Sequence, residues 1–200
     1  KEFYVILCDS LVESLKLLSI SKRELQKHIT VDYSELEKSI SQNKNCHIYL
    51  GHQLNWEWAN AHISSTLKAN VVVAYKPIKN KQFNILVKRI RSRFGSKLVS
   101  SKNMKKEIND LNLNPHILIL VADQNPKVPL RSFWTTFLSQ KTAFLSGTEM
   151  YSSLNKAKCF FAHIKREKRG HYKFVITPLF DFSEPYKVGL ITYLFAEITY

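Results

Sequence analysis

The chain has 200 residues, of which 44% are hydrophobic and 23% charged, so it is long enough for one globular domain with a sizeable core and is not a disordered chain. Thirty basic residues against 16 acidic ones leave a formal net charge of +14, which points to an anionic partner. The three cysteines, Cys8, Cys46 and Cys159, are far apart and in no metal-binding spacing, so we expect reduced packing residues and no metal site. We also expect no cofactor.

Both ends of the chain look cut. It starts at Lys1 rather than at a methionine, and it stops at Tyr200 inside an amphipathic pattern. No apolar run reaches the ~18 residues of a membrane span. We expect a single domain over residues 1–200 that is a fragment of a longer protein.

The first 45 residues predict three helices. Residues 1–18 carry apolar side chains at three- and four-residue steps, which is typical of an amphipathic helix. Ser21 with Glu24 forms a capping box for a second, short helix, and Ser34 with Glu37 opens a third.

The middle of the chain alternates strands and helices. Strands are predicted at 47–50, 70–75 and 116–121, where apolar and β-branched residues run together. Helices are predicted between them, from Asn55 to about Leu67, over 81–94 with Gly95 beyond the end, and over 101–111. This order predicts βαβ units.

The last third is mixed. It predicts a β-rich segment (133–144), a short helix (149–157), two paired strands (158–165 and 171–177) and a final helical period (186–199). We therefore predict an α/β fold with a mixed, mainly parallel central sheet flanked by helices.

The stretch 51–60 (GHQLNWEWAN) most needs a chemical explanation. His52 follows a predicted strand through Gly51, and Glu57 lies in the first turn of the next helix. A carboxylate on one ring nitrogen would fix the histidine tautomer, so that the other nitrogen can act as a general base on a substrate hydroxyl. The alternative is that Glu57 only favours the helix N-terminus.

A block of positive charge follows this stretch. There is no acidic residue between Glu57 and Glu107, whereas Lys76, Arg89, Arg91 and Arg93 fall in that interval. Such a block can bind phosphates or a membrane surface, or it can simply be a solvated face.

Asp123 is a second informative carboxylate, because it follows the 116–121 strand as His52 follows the 47–50 strand. In open α/β sheets, ligands bind beyond the carboxyl ends of the strands. We expect Asp123 to pair with an arginine of the basic block. A loop-capping role is the alternative.

These blocks together resemble the late acyltransferases of lipid A biosynthesis, the lauroyl/myristoyl family of Gram-negative bacteria within the lysophospholipid acyltransferase group. His52-Gln-Leu-Asn-Trp-Glu57 resembles the family's His-four-residues-acid motif, and Tyr75-Lys76-Pro77 with the arginines before Gly95 resembles its Tyr-Arg-Pro block. Ala122-Asp123-Gln124 resembles its Asp-Gln block.

The resemblance implies a glycerolipid-acyltransferase-like fold and transfer of a fatty acyl chain from acyl carrier protein to a hydroxyl of an anionic, Kdo-bearing lipid A precursor. It implies work at the membrane surface, on the cytoplasmic face of the inner membrane, with no nucleic acid partner. His52 and Glu57 would be the catalytic dyad. The implied substrate-binding residues are Asn55, Lys76, Arg89, Arg91, Arg93, Asp123 and Gln124.

The chain also departs from the family pattern. Its Tyr-Arg-Pro arginine is Lys76 here, which argues against a bidentate phosphate contact at that position. The family's N-terminal membrane helix and its C-terminal Trp-His-Arg-Arg type ending are absent, as expected for a fragment.

Six aromatic residues are candidates for lining an acyl groove, with plain core as the alternative for each. They are Trp56, Trp58, Phe83, Phe133, Trp134 and Phe137. Two other functions stay open at this point. One is a basic α/β module that binds nucleic acid through residues 76–106, and the other is an acyltransferase acting on glycerophospholipids.

Overall fold

A computed structural model describes residues 2–111 and 113–199. The helices are α1 (Glu2–Lys16), α2 (Lys22–His28), α3 (Ser34–Ser41), α4 (Trp56–Thr66), α5 (Lys81–Ser92), α6 (Met104–Leu111), α7 (Gly147–Asn155) and α8 (Leu190–Thr199). The strands are β1 (Ile29–Val31), β2 (Cys46–Leu50), β3 (Asn70–Tyr75), β4 (Lys97–Ser100), β5 (His116–Val121), β6 (Phe133–Phe137), β7 (Gln140–Phe144), β8 (Lys158–Lys168) and β9 (His171–Phe180).

Seven of the strands in the described ranges form one sheet, in the order β1-β9-β8-β2-β5-β3-β4. All neighbours in it are parallel except β8 and β9, which form an antiparallel hairpin. Strands β6 and β7 make a separate hairpin. The predicted α/β class with a mainly parallel sheet is confirmed.

Helices cover both faces of the sheet. Side chains of α2, α3, α4 and α5, with Leu17 just after α1, pack in one core layer, and those of α6, α7 and α8 pack in the other. The central strand β2 is buried along its whole length, which is why it is continuously apolar apart from His47. Strands β2 and β5 are adjacent, parallel and at the centre of the strand order, so their carboxyl ends lie side by side at the middle of one sheet edge.

The caps explain several helix ends. Ser21 accepts the Glu24 N–H at 3.1 Å and begins α2, as its capping box predicts. Asn55 and Asn80 cap α4 and α5 in the same way. Gly95, with φ of +104°, follows α5 and takes the left-handed conformation expected beyond a helix end.

Helix α1 forms where predicted, but it exposes apolar side chains to solvent and turns two acidic side chains towards the protein. Its outward face is apolar, while Asp9 and Glu13 are buried. Arg166 and Arg169 donate to Asp9 at 2.9 and 2.7 Å, which explains how a carboxylate is accommodated there. The outward apolar residues are Phe3, Tyr4, Val5, Leu7, Leu11, Val12 and Leu15.

Candidate active site

The register of β2 against β5 brings His52 and Asp123 together. Leu50 pairs with Val121 in adjacent parallel strands, and each of the two site residues lies two positions beyond its strand's paired residue. The Ala122 N–H donates to the Leu50 carbonyl at 2.9 Å and holds the two strand ends in this alignment. The site therefore lies at the carboxyl edge of the sheet.

Two hydrogen bonds join His52 to Asp123. The Nδ1 atom of His52 lies 2.5 Å from Asp123 Oδ1, and the backbone N–H of His52 donates to Oδ2 at 2.7 Å. A carboxylate on Nδ1 favours the tautomer with the proton on that nitrogen, which leaves Nε2 free to accept one. The side chain of Gln124 lies 3.4 Å from Nε2.

Gly51 leaves room for this pair. A Cβ atom at position 51 would lie 3.1 Å from Asp123 Oδ2 and 3.4 Å from its Cγ. The close approach of the backbone to the carboxylate gives a packing reason for glycine here.

The electrostatics favour an ionised Asp123. Partial burial raises the pKa of its carboxyl, but the hydrogen bonds and charge of His52 lower it by more, so the net pKa is below its ordinary value. The His52 side chain is 40% exposed and that of Asp123 28% exposed. The imidazole can therefore be reached by a substrate while its orienting carboxylate is more sheltered.

The carboxylate of Glu57 has a different partner from the one we expected. Arg91 donates to Glu57 Oε1 at 3.0 Å, and the two side chains are 19% and 18% exposed. The expectation that Glu57 orients the His52 ring is not met, because the sheet register places Asp123 there instead. The expectation that Asp123 pairs with an arginine fails for the same reason.

Trp56 links the two pairs. Its ring meets the His52 ring edge-on with centroids 6.4 Å apart, and the Arg91 guanidinium lies 4.5 Å from the Trp56 ring centroid. Such stacking on a tryptophan face orients the guanidinium. His52 and Arg91 therefore share one wall of the site, although their carboxylate partners differ.

Asn55, one of the predicted substrate-binding residues, caps helix α4 in the structure. Only 1% of it is exposed, and its side-chain oxygen accepts the Trp58 N–H at 3.2 Å as the N-cap of α4. Its amide donates to Glu13 Oε2 at 3.1 Å. The carbonyl of Glu13 also accepts from Trp58 Nε1, so α1 supports the start of α4.

Arg89, Arg91 and Arg93, the three arginines at the carboxyl end of α5, lie in different environments. The Arg93 guanidinium donates to the carbonyls of Leu17 and Ile20 at 2.7 and 2.6 Å, so it is engaged in capping the end of α1. Arg89 is exposed and outside the cavity described next, whereas Arg91 lines it. Of the three predicted contacts, the structure brings Arg91 to the site.

A cavity of about 1220 Å³ opens at His52. It is lined by Trp56, Arg91, Gln124 and Lys76, so the predicted Lys76 and Gln124 lie at the site. It is somewhat larger than the ~300–1,000 Å³ typical of small-molecule pockets. Further cations on its lining are Lys102, Lys105, Lys106 and Lys127.

Of the six aromatic groove candidates, Trp56 lines this cavity. Trp58 is in the core, 1% exposed, and Trp134 donates its Nε1 proton to the Pro129 carbonyl at 3.0 Å. The sequence reasoning missed the aliphatic lining, which includes Leu120, Leu145, Met150 and Leu154. The feature of the sequence that could have identified this lining is the four-residue spacing of the apolar residues Met150 and Leu154 on the short helix.

Within residues 2–111 and 113–199, no three His, Cys, Asp or Glu side chains are grouped so that they could hold a metal ion. In the same ranges, every helix is too short or too polar to cross a bilayer.

No curated protein matches the chain significantly. Residues 4–198 match a protein family described as bacterial lipid A biosynthesis acyltransferase. Because this match covers nearly the whole chain, the protein belongs to the bacterial lipid A biosynthesis acyltransferase family and is an acyltransferase of lipid A synthesis.

Proposed function

We propose that this chain transfers a fatty acyl group from acyl carrier protein to a hydroxyl of a phosphorylated, Kdo-bearing lipid A precursor. The observation that carries the proposal is the His52–Asp123 pair, which opens onto a cavity with a cationic lining. The His52 imidazole serves as general base and Asp123 as its orienting partner. Glu57, which we first expected in that role, holds Arg91 instead.

The reaction needs no nucleophilic side chain. His52 Nε2 removes the proton from the acceptor hydroxyl, displacing Gln124, as the hydroxyl oxygen bonds to the thioester carbonyl carbon. The carbon–sulfur bond then breaks, and the imidazolium returns the proton to the leaving thiolate. The products are an ester and a free thiol. Asp123 stabilises the imidazolium between these two steps.

Arg91 binds an anionic group of the acceptor. Its guanidinium is held by Glu57 and stacked on Trp56, so its orientation is set before the substrate arrives. Within the described part of the chain, the Arg91 Nε atom is buried and has no hydrogen-bond partner. The cavity lysines, including Lys76, extend the positive surface towards phosphates and an acidic carrier.

The outward face of α1 supports work at a membrane surface. Phe3 and Tyr4 are each 69% exposed and Val12 is 66% exposed, while Asp9 and Glu13 are buried on the inner face of the helix. An interfacial helix of this kind can rest in the headgroup region without crossing the bilayer. We place the enzyme on the cytoplasmic face of the inner membrane of a Gram-negative bacterium, where its acceptor is made.

The test is an assay of the purified protein with acyl carrier protein thioesters and a Kdo-lipid A precursor. His52→Ala should abolish transfer while the thermal melting curve is retained. The second variant is Asp123→Asn, and Asp181→Asn is its matched control. The Asp181 side chain is 25% exposed, close to the 28% of Asp123, and it is ion-paired with Lys44. Asp181 follows β9 and lies away from the site, so this variant should keep its activity.

Three outcomes would contradict the proposal. Full turnover by His52→Ala would remove the general base. Transfer to a lysophospholipid but not to the lipid A precursor would identify the enzyme as a glycerophospholipid acyltransferase. Binding of nucleic acid without any acyl transfer would support the alternative function, a basic α/β module that binds nucleic acid through residues 76–106.

A further inference from the structure

The cavity at His52 continues between α6 and α7, since residues of both helices line it. Helix α6 connects the end of β4 to the start of β5, and α7 leads to the start of β8. Strands β4, β5 and β8 all point the same way, because each is linked to the others through parallel pairs. Both helices therefore run back along the sheet, away from the edge that carries His52.

The two walls of this groove differ in chemistry. Helix α6 and the loop before it contribute mainly exposed polar or charged residues, together with the half-buried Met104. The polar and charged ones include Lys102, Lys105, Lys106, Asn109 and Asp110. The wall on α7 is mainly apolar. Besides Gly147 and Thr148 it contributes Met150, Tyr151 and Leu154, with Leu145 just before the helix and Leu120 from β5.

The apolar wall has a fixed part and an open part. Tyr151 is 3% exposed, and its ring stacks on His47 with centroids 5.4 Å apart. Met150 and Leu154 are 62% and 58% exposed, and at i, i+4 they lie on one face of α7. They border the groove at two successive distances from His52, about 6 Å apart along the helix.

We propose that the α7 wall receives the acyl chain of the donor and that Met150 and Leu154 determine which chain length is preferred. This inference rests on the proposed function for its donor. The thioester carbonyl must sit near His52, and a methylene chain leaving it is stabilised by the α7 wall, where Met150 and Leu154 present an exposed apolar face. The charged wall of α6 faces the anionic parts of the substrates instead.

The wall can discriminate because each methylene that it shelters contributes separately. Burial of two methylenes corresponds to a change of about 10- to 20-fold in relative kcat/KM. A side chain that blocks the groove at position 154 should thus penalise the longest donors. A block at position 150, nearer to His52, should penalise shorter ones as well.

The experiment measures kcat/KM for ten-, twelve-, fourteen- and sixteen-carbon thioesters of acyl carrier protein in wild type, Leu154→Trp and Met150→Trp. We expect the preferred length to fall by about two carbons in Leu154→Trp and by more in Met150→Trp, with a loss of about ten-fold or more for the longest donor. Both side chains are largely exposed, so the substitutions should not disturb folding.

Ile85→Trp is the matched control. Ile85 is 60% exposed on α5 and does not border the groove, so its chain-length profile should equal that of wild type. Unchanged chain-length profiles in both α7 variants would overturn the inference.

A second measurement separates this inference from the proposed function. The rise in melting temperature on adding S-acyl pantetheines of the same four lengths reports binding without reaction. If no transfer occurs but the length dependence of this rise shifts in the α7 variants, the proposed function fails and the groove inference stands. If neither kinetics nor binding changes with chain length in wild type, the groove inference fails.

Discussion

The carboxylate of Asp123 meets His52 at two points, with Nδ1 at 2.5 Å from one oxygen and the backbone N–H at 2.7 Å from the other. The two residues are 71 positions apart in the chain and meet through the register of two parallel strands. A carboxylate held at both oxygens has little freedom to rotate, so it fixes the plane of the imidazole as well as its tautomer.

Asp123→Asn should lower kcat by about 10²- to 10⁴-fold, because the amide can place a donor against Nδ1 and no longer stabilises the imidazolium. Glu57→Gln should act mainly on the KM of the acceptor, since Glu57 holds Arg91. Steady-state kinetics with varied acceptor distinguishes the two. The assignment of partners would be wrong if Glu57→Gln lost kcat as strongly as Asp123→Asn.

Gly51→Ala should lower kcat by about ten-fold or more through Asp123, because the new Cβ would lie 3.1 Å from its Oδ2 atom. A double-mutant cycle with Asp123→Asn measures this coupling. The alanine should have little further effect once the carboxylate is gone. Additive losses of kcat would show that Gly51→Ala acts by another route.

The central elements could be predicted from the sequence because their patterns are local. Strands β2, β3 and β5 are continuous apolar runs, and α2 and α4 begin at side chains that cap them. The edge strands β1 and β4 were missed. They have only three and four residues, too few to show a period.

The tertiary partners could not be predicted in the same way. Glu57 is close to His52 in sequence, but side-chain pairing across a sheet edge depends on register, which places Asp123 nearer. The orientation of α1 depends likewise on Arg166 and Arg169, more than 150 residues away in the chain. A helical period shows that a helix has two faces, not which of them packs inward.

Asn55→Ala should destabilise the protein by about 0.5–2 kcal/mol, the usual cost of losing an N-cap. The KM for the acceptor should stay unchanged once the folded fraction is corrected for, since Asn55 is buried and bonded to Glu13 and Trp58. Denaturant melts and kinetics on the same preparation check both parts. A raised KM at unchanged stability would restore Asn55 as a substrate contact.

Arg91→Ala should raise the KM of the lipid acceptor by about ten-fold or more. The variant loses the charge-assisted contact with the acceptor and also leaves the Glu57 carboxylate without its ion-pair partner. Arg89→Ala is the matched control, as Arg89 is exposed on the same helix and outside the cavity. Arg91→Lys should recover only part of the loss, because a lysine cannot reproduce the guanidinium fork. Equal effects of the two alanine variants would indicate a general role of surface charge.

His62 should contribute to loss of stability in mild acid. It is 5% exposed, and its Nδ1 lies 2.7 Å from the Tyr33 hydroxyl. Burial, with a smaller effect of the Lys22 charge, lowers the pKa of His62 to about 4 from its ordinary value of 6.5. Below the ordinary value, the unfolded chain takes up a proton that the folded chain does not. The stability contributed by neutral His62 is therefore complete above the ordinary value and is lost as the pH falls from there to about 4.

His62→Gln removes the side chain that takes up this proton on unfolding. The free energy of unfolding should therefore fall less steeply with acid in the variant than in wild type. The two slopes should differ by at most about 1.4 kcal/mol for each pH unit. Urea melts of both proteins at pH values from about 7.5 to 4 give the two slopes. Some slope should remain in the variant, since burial also lowers the pKa values of His47 and His116. Parallel curves for variant and wild type would mean that His62 titrates normally in the folded protein.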